Sequence, residues 1–388
     1  MEELKYSVLK TANFLHQGIW ELATEIGNNP EEGYQEYMAS ELLTSFLRGK
    51  AFKVEKPLAG METAFLARFR GSHPGPRIAF LAEYDALPDV GHGCGHNLIG
   101  AASVGAAVVL STVPDFKGEI IVIGSPAEET SGAKVSLTEA GIFKDIDVAM
   151  MFHPGSCNVP EISSLALDAI EVNFYGKAAH MAVADSIGIN ALDAVISLFQ
   201  RVNRLRRRLA KDERIDGIIT QGGKSPNIVP DKTVARFYLR AGKRENLNKI
   251  RQKFLDCAQK AANESRAQMR WRFYEYSYDE MKTNDSLACC FRDNLIYLGI
   301  KDIEQPQTML GSVDMGNVSH VVPALHSYLR LGKGLEIPHT TEFARAALSV
   351  EGEKVLSLAV RVLALTGLDV LTDRRLFERI QREFLRDK

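Results

Sequence analysis

The sequence predicts an α/β fold: a main domain on a mostly parallel sheet, with an α+β, ferredoxin-like domain inserted into it. Three observations predict this. Near-continuous apolar runs such as "RIAFLAEYDALP", "GEIIVIGSP" and "IDVAMMFHPGS" alternate with helical patterns, the texture of a parallel sheet buried on both faces. From about Leu167 the order changes to β-α-β-β-α-β. From Asn284 onward helix and strand alternate again, which completes the first domain. The 388 residues suffice for one large or two ordinary domains.

The elements follow in order. Apolar residues at helical spacing predict a first helix from Leu4 to Ile26. "NNPEEGYQEYMASELLTSFLRG" gives a break and a second helix. "TAFLARFRG" and "RIAFLAEYDALP" read as strands, the latter ending at Glu83, Asp85 and Pro88. Asn97 is placed to cap the helix "LIGAASVGAAVVLSTV". The strands "GEIIVIGSP" and "IDVAMMFHPGS" follow, the second ending at His153. In the insertion, "ALDAIEVNFYGKAAH" is a strand and "NALDAVISLFQRVNRLRRRLA" a helix. "DGIITQGG" and "KTVARFYLRA" are strands around a turn, "NLNKIRQKFLDCAQKAANES" a helix and "QMRWRFYEYSY" a strand. The insertion is bounded at 168–279, leaving 1–167 and 280–388 as one discontinuous domain. The tail "LTDRRLFERIQREFLRDK" reads as a charged amphipathic helix.

Composition narrows the class. Hydrophobic residues make up 45% and charged residues 25%, an ordinary globular balance. The net charge of -2 gives no basic field for nucleic acid. The run "RLRRRLAK" continues a helical pattern and reads as a solvated face. Five cysteines show no disulfide-framework spacing, and the N-terminus has no apolar signal core. The longest apolar run, Leu98 to Val113, is too short and too soft to span a bilayer. A cytoplasmic protein without membrane or nucleic-acid partners is expected.

The chemistry gathers at strand ends, where open α/β sheets bind ligands. Glu83 and Asp85, Glu128 and Glu129, and His153 each follow or close a buried strand. The stretch "DVGHGCGHN" joins them. Its alternating glycines suit a backbone that bends sharply, and Cys94 and His96 point the same way if extended. Thiolate, imidazole and carboxylate are ligands for zinc-like ions, with Glu129, His153 and His339 of "EIPHTT" as the remaining set. His92 either shares that face or only shapes the turn. His16, His73, His320 and His326 read as surface or hydrogen-bonded core residues. Of the pair "EE", one carboxylate can hold metal while the other takes a proton from water, the division of labour in a hydrolase. There is no G-x-S-x-G elbow, "GIITQGGKS" is out of register for a P-loop, and "GHGCGH" is not G-x-G-x-x-G. Two other readings stay open: Cys94 as a thiol nucleophile, and a non-catalytic binding protein with a structural metal.

"YDALPDVGHGCGHN", "SPAEETSGAK", "FHPGS", "YGKAAHMA", "SPNIVPD" and "IPHTTEF" occur in the order found in zinc aminoacylase and carboxypeptidase-G-like metallopeptidases. Together they resemble the amidohydrolase branch, which includes p-aminobenzoyl-glutamate hydrolase, N-acyl-amino-acid hydrolases and β-alanyl-lysine type dipeptidases. The resemblance covers nearly the whole chain. It implies a catalytic main domain with two divalent metal ions (zinc, or manganese or cobalt), a lid domain that mediates a homodimer, and a small amide or dipeptide substrate. It implies Cys94, His96, Glu129, His153 and His339 as ligands, Glu128 as general base and proton donor, and Asp85 as the residue orienting a ligand. His180 of "GKAAH" corresponds to a histidine that stabilises the tetrahedral intermediate. Asn227 and Arg240 correspond to substrate-holding lid residues, and Ser312, Asp314 and Asn317 to pocket or turn positions. Two departures stand out: Glu83-Tyr84-Asp85 replaces a His-x-Asp start, and Met181 replaces a small residue after His180.

Overall fold

The structure is a computed structural model that describes residues 1–179, 188–305, 307–308, 311–332, 334 and 337–386. Helices α1 (Glu2–Asn28) and α2 (Tyr37–Arg48) precede β1 (Lys53–Glu55), β2 (Phe65–Arg70) and β3 (His73–Ala82). Then come α3 (His96–Ser111), β4 (Lys117–Gly124), α4 (Ala133–Glu139), β5 (Val148–Gly155) and β6 (Ile162–Ser163). The middle of the chain forms β7 (Ala166–Tyr175), α5 (Ala191–Arg206), β8 (Arg214–Gln221), β9 (Lys232–Ala241), α6 (Arg244–Ser265) and β10 (Gln268–Phe273). The rest comprises α7 (Asp285–Tyr297), β11 (Gln307–Thr308), α8 (Met315–Ser319), β12 (Ala324–Arg330), α9 (Thr341–Ala347), α10 (Val350–Thr372) and α11 (Arg374–Arg386).

The chain divides into two compact units. The first contains Met1–Ser163, Met281–Thr308 and Asn317–Lys388, built on a six-stranded sheet of order β1-β2-β4-β3-β5-β12. The pairs β3/β4, β3/β5 and β5/β12 are parallel, and β1 and β2 extend one edge antiparallel. The inner strands carry continuous buried apolar runs, Ile120 to Ile123 in β4 and Val148 to Phe152 in β5, because both faces are covered there. Helix α3 is buried from His96 to Leu110, so it is a core helix rather than an amphipathic one.

One expectation is corrected here. Asn97 does not cap α3: Gly95 is the N-cap, and Asn97 lies inside the helix, where its amide donates to Ala23 O of α1 at 3.1 Å. Gly95 adopts a left-handed backbone with no side chain to cap the helix, and α3 starts at His96, ahead of the position an Asn97 cap implies. Helix α10 is long and apolar enough by composition to cross a membrane. It packs against α1, α3 and α7 as a core helix.

The second unit contains Ser164–Glu280 and Met309–Gly316. Its sheet has the order β10-β7-β9-β8 with every pair antiparallel. Helices α5 and α6 pack on this sheet around Phe174, Leu198, Phe237 and Phe254. Strands β8 and β10 are its edges.

Candidate metal centre

All site-forming segments below belong to the first unit. Strand β3 ends at Ala82, and Glu83, Tyr84 and Asp85 continue into a buried polar cluster. Cys94 lies in the loop before α3, and His96 is its first residue. Between them Gly95 stands at φ 72, accessible to glycine at little cost. The turn after β4 carries Glu128 and Glu129, and His153 lies within β5. His339, just before α9, donates its backbone N–H to Gly93 O at 3.0 Å, which ties its loop to the Cys94 loop.

The expected ligands converge. Ligand atoms of Cys94, His96 and His153 lie within 4.8 Å of one another, as do those of Cys94, Glu129 and His339, and those of His96, Glu128 and Glu129. Cys94 is common to the first two groups.

The donor set fits divalent ions. The carboxylate of Asp85 lies 2.9 Å from His96 Nδ1, so that nitrogen donates to it and Nε2 is the nitrogen left for a metal ion, which would replace a proton there. His96 Nε2 and Glu129 Oε1 are buried without a hydrogen-bond partner among the described residues, and they stand 3.7 Å apart. Such a pair is costly unless a cation completes it. The local field favours positive charge. Burial opposes protonation of His96, yet Asp85 first, then Glu83 and Glu129, raise its pKa well above the usual histidine range. Burial, followed by Glu129 and Glu128, pushes the Cys94 thiol up. A lone thiol there stays protonated and is a poor nucleophile, whereas an adjacent dication favours the thiolate. His153 donates from Nδ1 to Pro154 O at 2.7 Å, and burial lowers its pKa toward the neutral, metal-binding form.

Two neighbours escaped sequence reasoning. Lys134 is fully buried in α4, with Nζ 2.5 Å from Glu83 Oε1. Burial raises the Glu83 pKa, but Lys134 and then His96 outweigh it and hold the carboxyl down to about 2. The only signal in sequence is a lysine among apolar neighbours. Tyr328 stacks on His153 with ring centroids 4.9 Å apart, and the register Tyr328↔His153 of β12 and β5 accounts for it. His326, two residues away on the same face, corrects the surface-or-hydrogen-bonded reading. It is buried, neither ring nitrogen has a hydrogen-bond partner among the described residues, and it stacks on Tyr328 at 5.3 Å. Burial pushes its pKa down to about 3, so it packs as a neutral aromatic ring.

The other expected residues lie as follows. His92 is buried, its pKa pushed down to about 4 chiefly by burial, and it belongs to none of the three ligand groups. His16 pairs with Glu353 at 2.9 Å, and His73 contacts Ser72 at 3.0 Å. In the second unit, Arg240 donates to Ser312 Oγ at 2.8 Å, and Asn227 is exposed and accepts from Ser225 Oγ at 2.5 Å. Asp314 is buried. His180 falls outside the described residues.

Residues 79–362 match the model of peptidase family M20/M25/M40. The chain is similar to Xaa-Arg dipeptidase from Homo sapiens, 35% identical over 413 aligned positions covering 98% of this chain and 93% of that protein. It is also similar to one of the subunits of p-aminobenzoyl-glutamate hydrolase from Escherichia coli K12, 30% identical over 65% of this chain and 57% of that one. Among solved structures, the aminobenzoyl-glutamate utilization protein from Klebsiella pneumoniae superposes with a TM-score of 0.76 at 18% identity, covering 94% of this chain and 98% of the other. A dinuclear metal binding peptidase of the M20 family from Bacillus subtilis gives 0.67 at 20% identity, covering 90% and 99%. With the family model spanning most of the chain and the human relative matching nearly all of it, the chain belongs to peptidase family M20/M25/M40 and is a hydrolase of peptide or amide bonds.

Proposed function

We propose that this hydrolase is a dinuclear-metal amidohydrolase. It releases an amino acid with a free carboxylate from a dipeptide, an N-acyl amino acid or an aminobenzoyl-glutamate-like compound. The observation that carries this reading is the pair of ligand groups sharing Cys94, with His96 and His153 on one side and Glu129 and His339 on the other. The dinuclear peptidase and the Xaa-Arg dipeptidase among the similar proteins support it, and the latter puts dipeptides ending in arginine first.

Bound zinc, manganese or cobalt supplies Lewis-acid polarisation of the scissile carbonyl and acidifies water. The chain's own groups do the rest. Glu128, beside the ligands but not needed in either Cys94-sharing group, takes a proton from water and later delivers one to the leaving amine. Asp85 fixes the ring of His96. In the inserted unit, which we read as the lid, His180 stabilises the oxyanion. Arg240 and Asn227 hold the substrate, the guanidinium through its carboxylate. We place the homodimer contact on the edge strand β8, where Ile218 and Ile219 are exposed. Five free cysteines are in keeping with a cytoplasmic protein.

A structural metal with no catalysis leaves Glu128 without a use, which argues against the binding-protein reading. The test is a mass-spectrometric hydrolysis screen of the chain loaded in turn with zinc, manganese or cobalt. The pool contains dipeptides ending in Arg, Lys or Glu, N-acyl amino acids and p-aminobenzoyl-glutamate. Glu128→Gln is expected to bind metal and lose nearly all turnover. Full activity in that variant refutes the base assignment. Activity lost to a chelator and regained on adding back zinc or manganese marks the metal enzyme, whereas activity that survives the chelator and is lost to iodoacetamide returns Cys94 to the role of nucleophile.

A further inference from the structure

The two amides that flank Glu128 are both held by buried carboxylates. On one side, Glu129 N–H donates to Asp85 Oδ2 at 2.9 Å. On the other, Ala127 N–H donates to Glu36 Oε1 at 2.8 Å. Asp85 belongs to the metal centre. Glu36 comes from the start of α2, 91 residues earlier in the chain, and touches none of the ligand groups.

Ala127 needs such an anchor. It stands at φ 55, in the left-handed region that costs an L residue with a Cβ about 1–2 kcal/mol. The turn closes behind it, with Ser131 and Gly132 both donating to Ala127 O. Gly33, three residues before Glu36, lies against the same turn. A Cβ on Gly33 would come 2.3 Å from Thr130 Oγ1 and 2.9 Å from the Ala127 Cβ. The segment also reaches the strand end that bears Asp85, because Ala86 N–H donates to Glu31 O at 2.8 Å.

Glu36 is itself held rigidly. It is fully buried, and its second oxygen accepts from Thr63 Oγ1 at 2.9 Å. The carbonyl of Thr63 accepts the hydroxyls of Tyr84 and Ser40, each at 2.7 Å. Burial is the main reason the Glu36 carboxyl is pushed up to about 7. Its function as an acceptor for Ala127 therefore holds in either protonation state, since the carbonyl oxygen of a neutral carboxyl also accepts.

We propose that Glu36 is a positioning residue for the reaction: by fixing the left-handed Ala127 turn, it aims the Glu128 carboxylate. It acts through Ala127 and contacts neither metal nor substrate. This rests on the reading of Glu128 as general base.

The experiment compares wild type, Glu36→Ala, Glu36→Gln and Thr63→Val, with Glu128→Gln as the blank. The probe is the dipeptide alanyl-arginine, hydrolysed by manganese-loaded protein. The readouts are kcat, KM, metal bound per chain and thermal midpoint. Glu36→Ala is expected to lower kcat roughly ten- to a hundredfold, the cost of a misaimed reacting group, with KM and metal content unchanged. Glu36→Gln keeps an acceptor for Ala127 N–H and restores most of kcat. Thr63→Val loosens Glu36 without touching the turn and lowers kcat less than Glu36→Ala. Wild-type kcat in Glu36→Ala overturns the proposal, and so does activity lost only in step with metal. If Glu36→Ala does not fold, Thr63→Val decides, and wild-type kcat there overturns it. A wild type that cleaves neither alanyl-arginine nor any compound of the screen defeats the functional reading, and the proposal falls with it. Turnover that ignores Glu36 defeats the proposal alone.

Discussion

Gly95→Ala tests how the glycine-rich loop builds the site. Gly95 links Cys94 to His96 at φ 72. An alanine there takes on a left-handed backbone, about 1–2 kcal/mol. Its Cβ would also meet Pro154 Cγ at 2.6 Å and Phe343 Cε1 at 3.5 Å. Pro154 is the less able to yield, because it is a ring within β5, next to His153. Overpacking of this kind costs about 1–3 kcal/mol. The combined loss is about 2–5 kcal/mol, a large share of the stability of a typical domain. Relief by backbone movement shifts Cys94 and His96 against His153, three residues whose ligand atoms lie within 4.8 Å. The assay is thermal unfolding of the metal-free chain together with calorimetric titration of zinc and manganese. Both the midpoint and the metal affinity are expected to fall. A Gly95→Ala protein with wild-type midpoint and affinity refutes the reasoning, since the strain and the contact would then both be absent.

Three further outcomes are expected. Asp85→Ala takes the carboxylate from both His96 Nδ1 and Glu129 N–H and leaves the ring only the backbone carbonyl of residue 85 at 3.0 Å, so metal affinity should fall about 10–100-fold with the far-UV spectrum retained; unchanged affinity counts against the orienting role of the carboxylate. Lys134→Met leaves Glu83 buried without its cation and should cost about 3–5 kcal/mol in urea unfolding, with partial recovery when Glu83→Gln is added; a harmless single variant would show that the pair is not coupled. Glu36 carries a pH signature of its own. Its carboxyl is raised from the ordinary 4.5 to about 7 in the folded state, so its stabilising contribution is complete below pH 4.5 and is lost as pH rises through about 7. The size is about 3 kcal/mol. Glu36→Gln should flatten the decline of the thermal midpoint over that window, and profiles that run parallel to wild type would disprove the shift.

Much of the site was legible because its signals are local. The strand patterns before Glu83, Glu128 and His153 mark where a parallel sheet delivers its ends, and ligands gather there. The spacing of Cys94 and His96 across one glycine is equally local. Asn97 misled because a polar residue before an apolar run has the same appearance whether it caps the helix or reaches across to Ala23. His326 misled because a lone histidine carries no mark of its burial. That mark lay in the alternation of His326 and Tyr328 along β12, and it has meaning only once β12 is paired with β5.

By itself, the sequence determined the order of the elements, the β-α-β-β-α-β middle segment and the identity of the ligand-type residues. Residue type and short-range periodicity are properties of a few neighbouring positions. Only the tertiary structure decided that Cys94 lies in two ligand groups, that Lys134 neutralises Glu83, and that Glu36 braces the turn bearing Glu128. Those facts depend on strand register and burial between segments tens of residues apart. Burial removes the water that would otherwise compensate each charge, and so turns a neighbouring side chain into an obligatory partner.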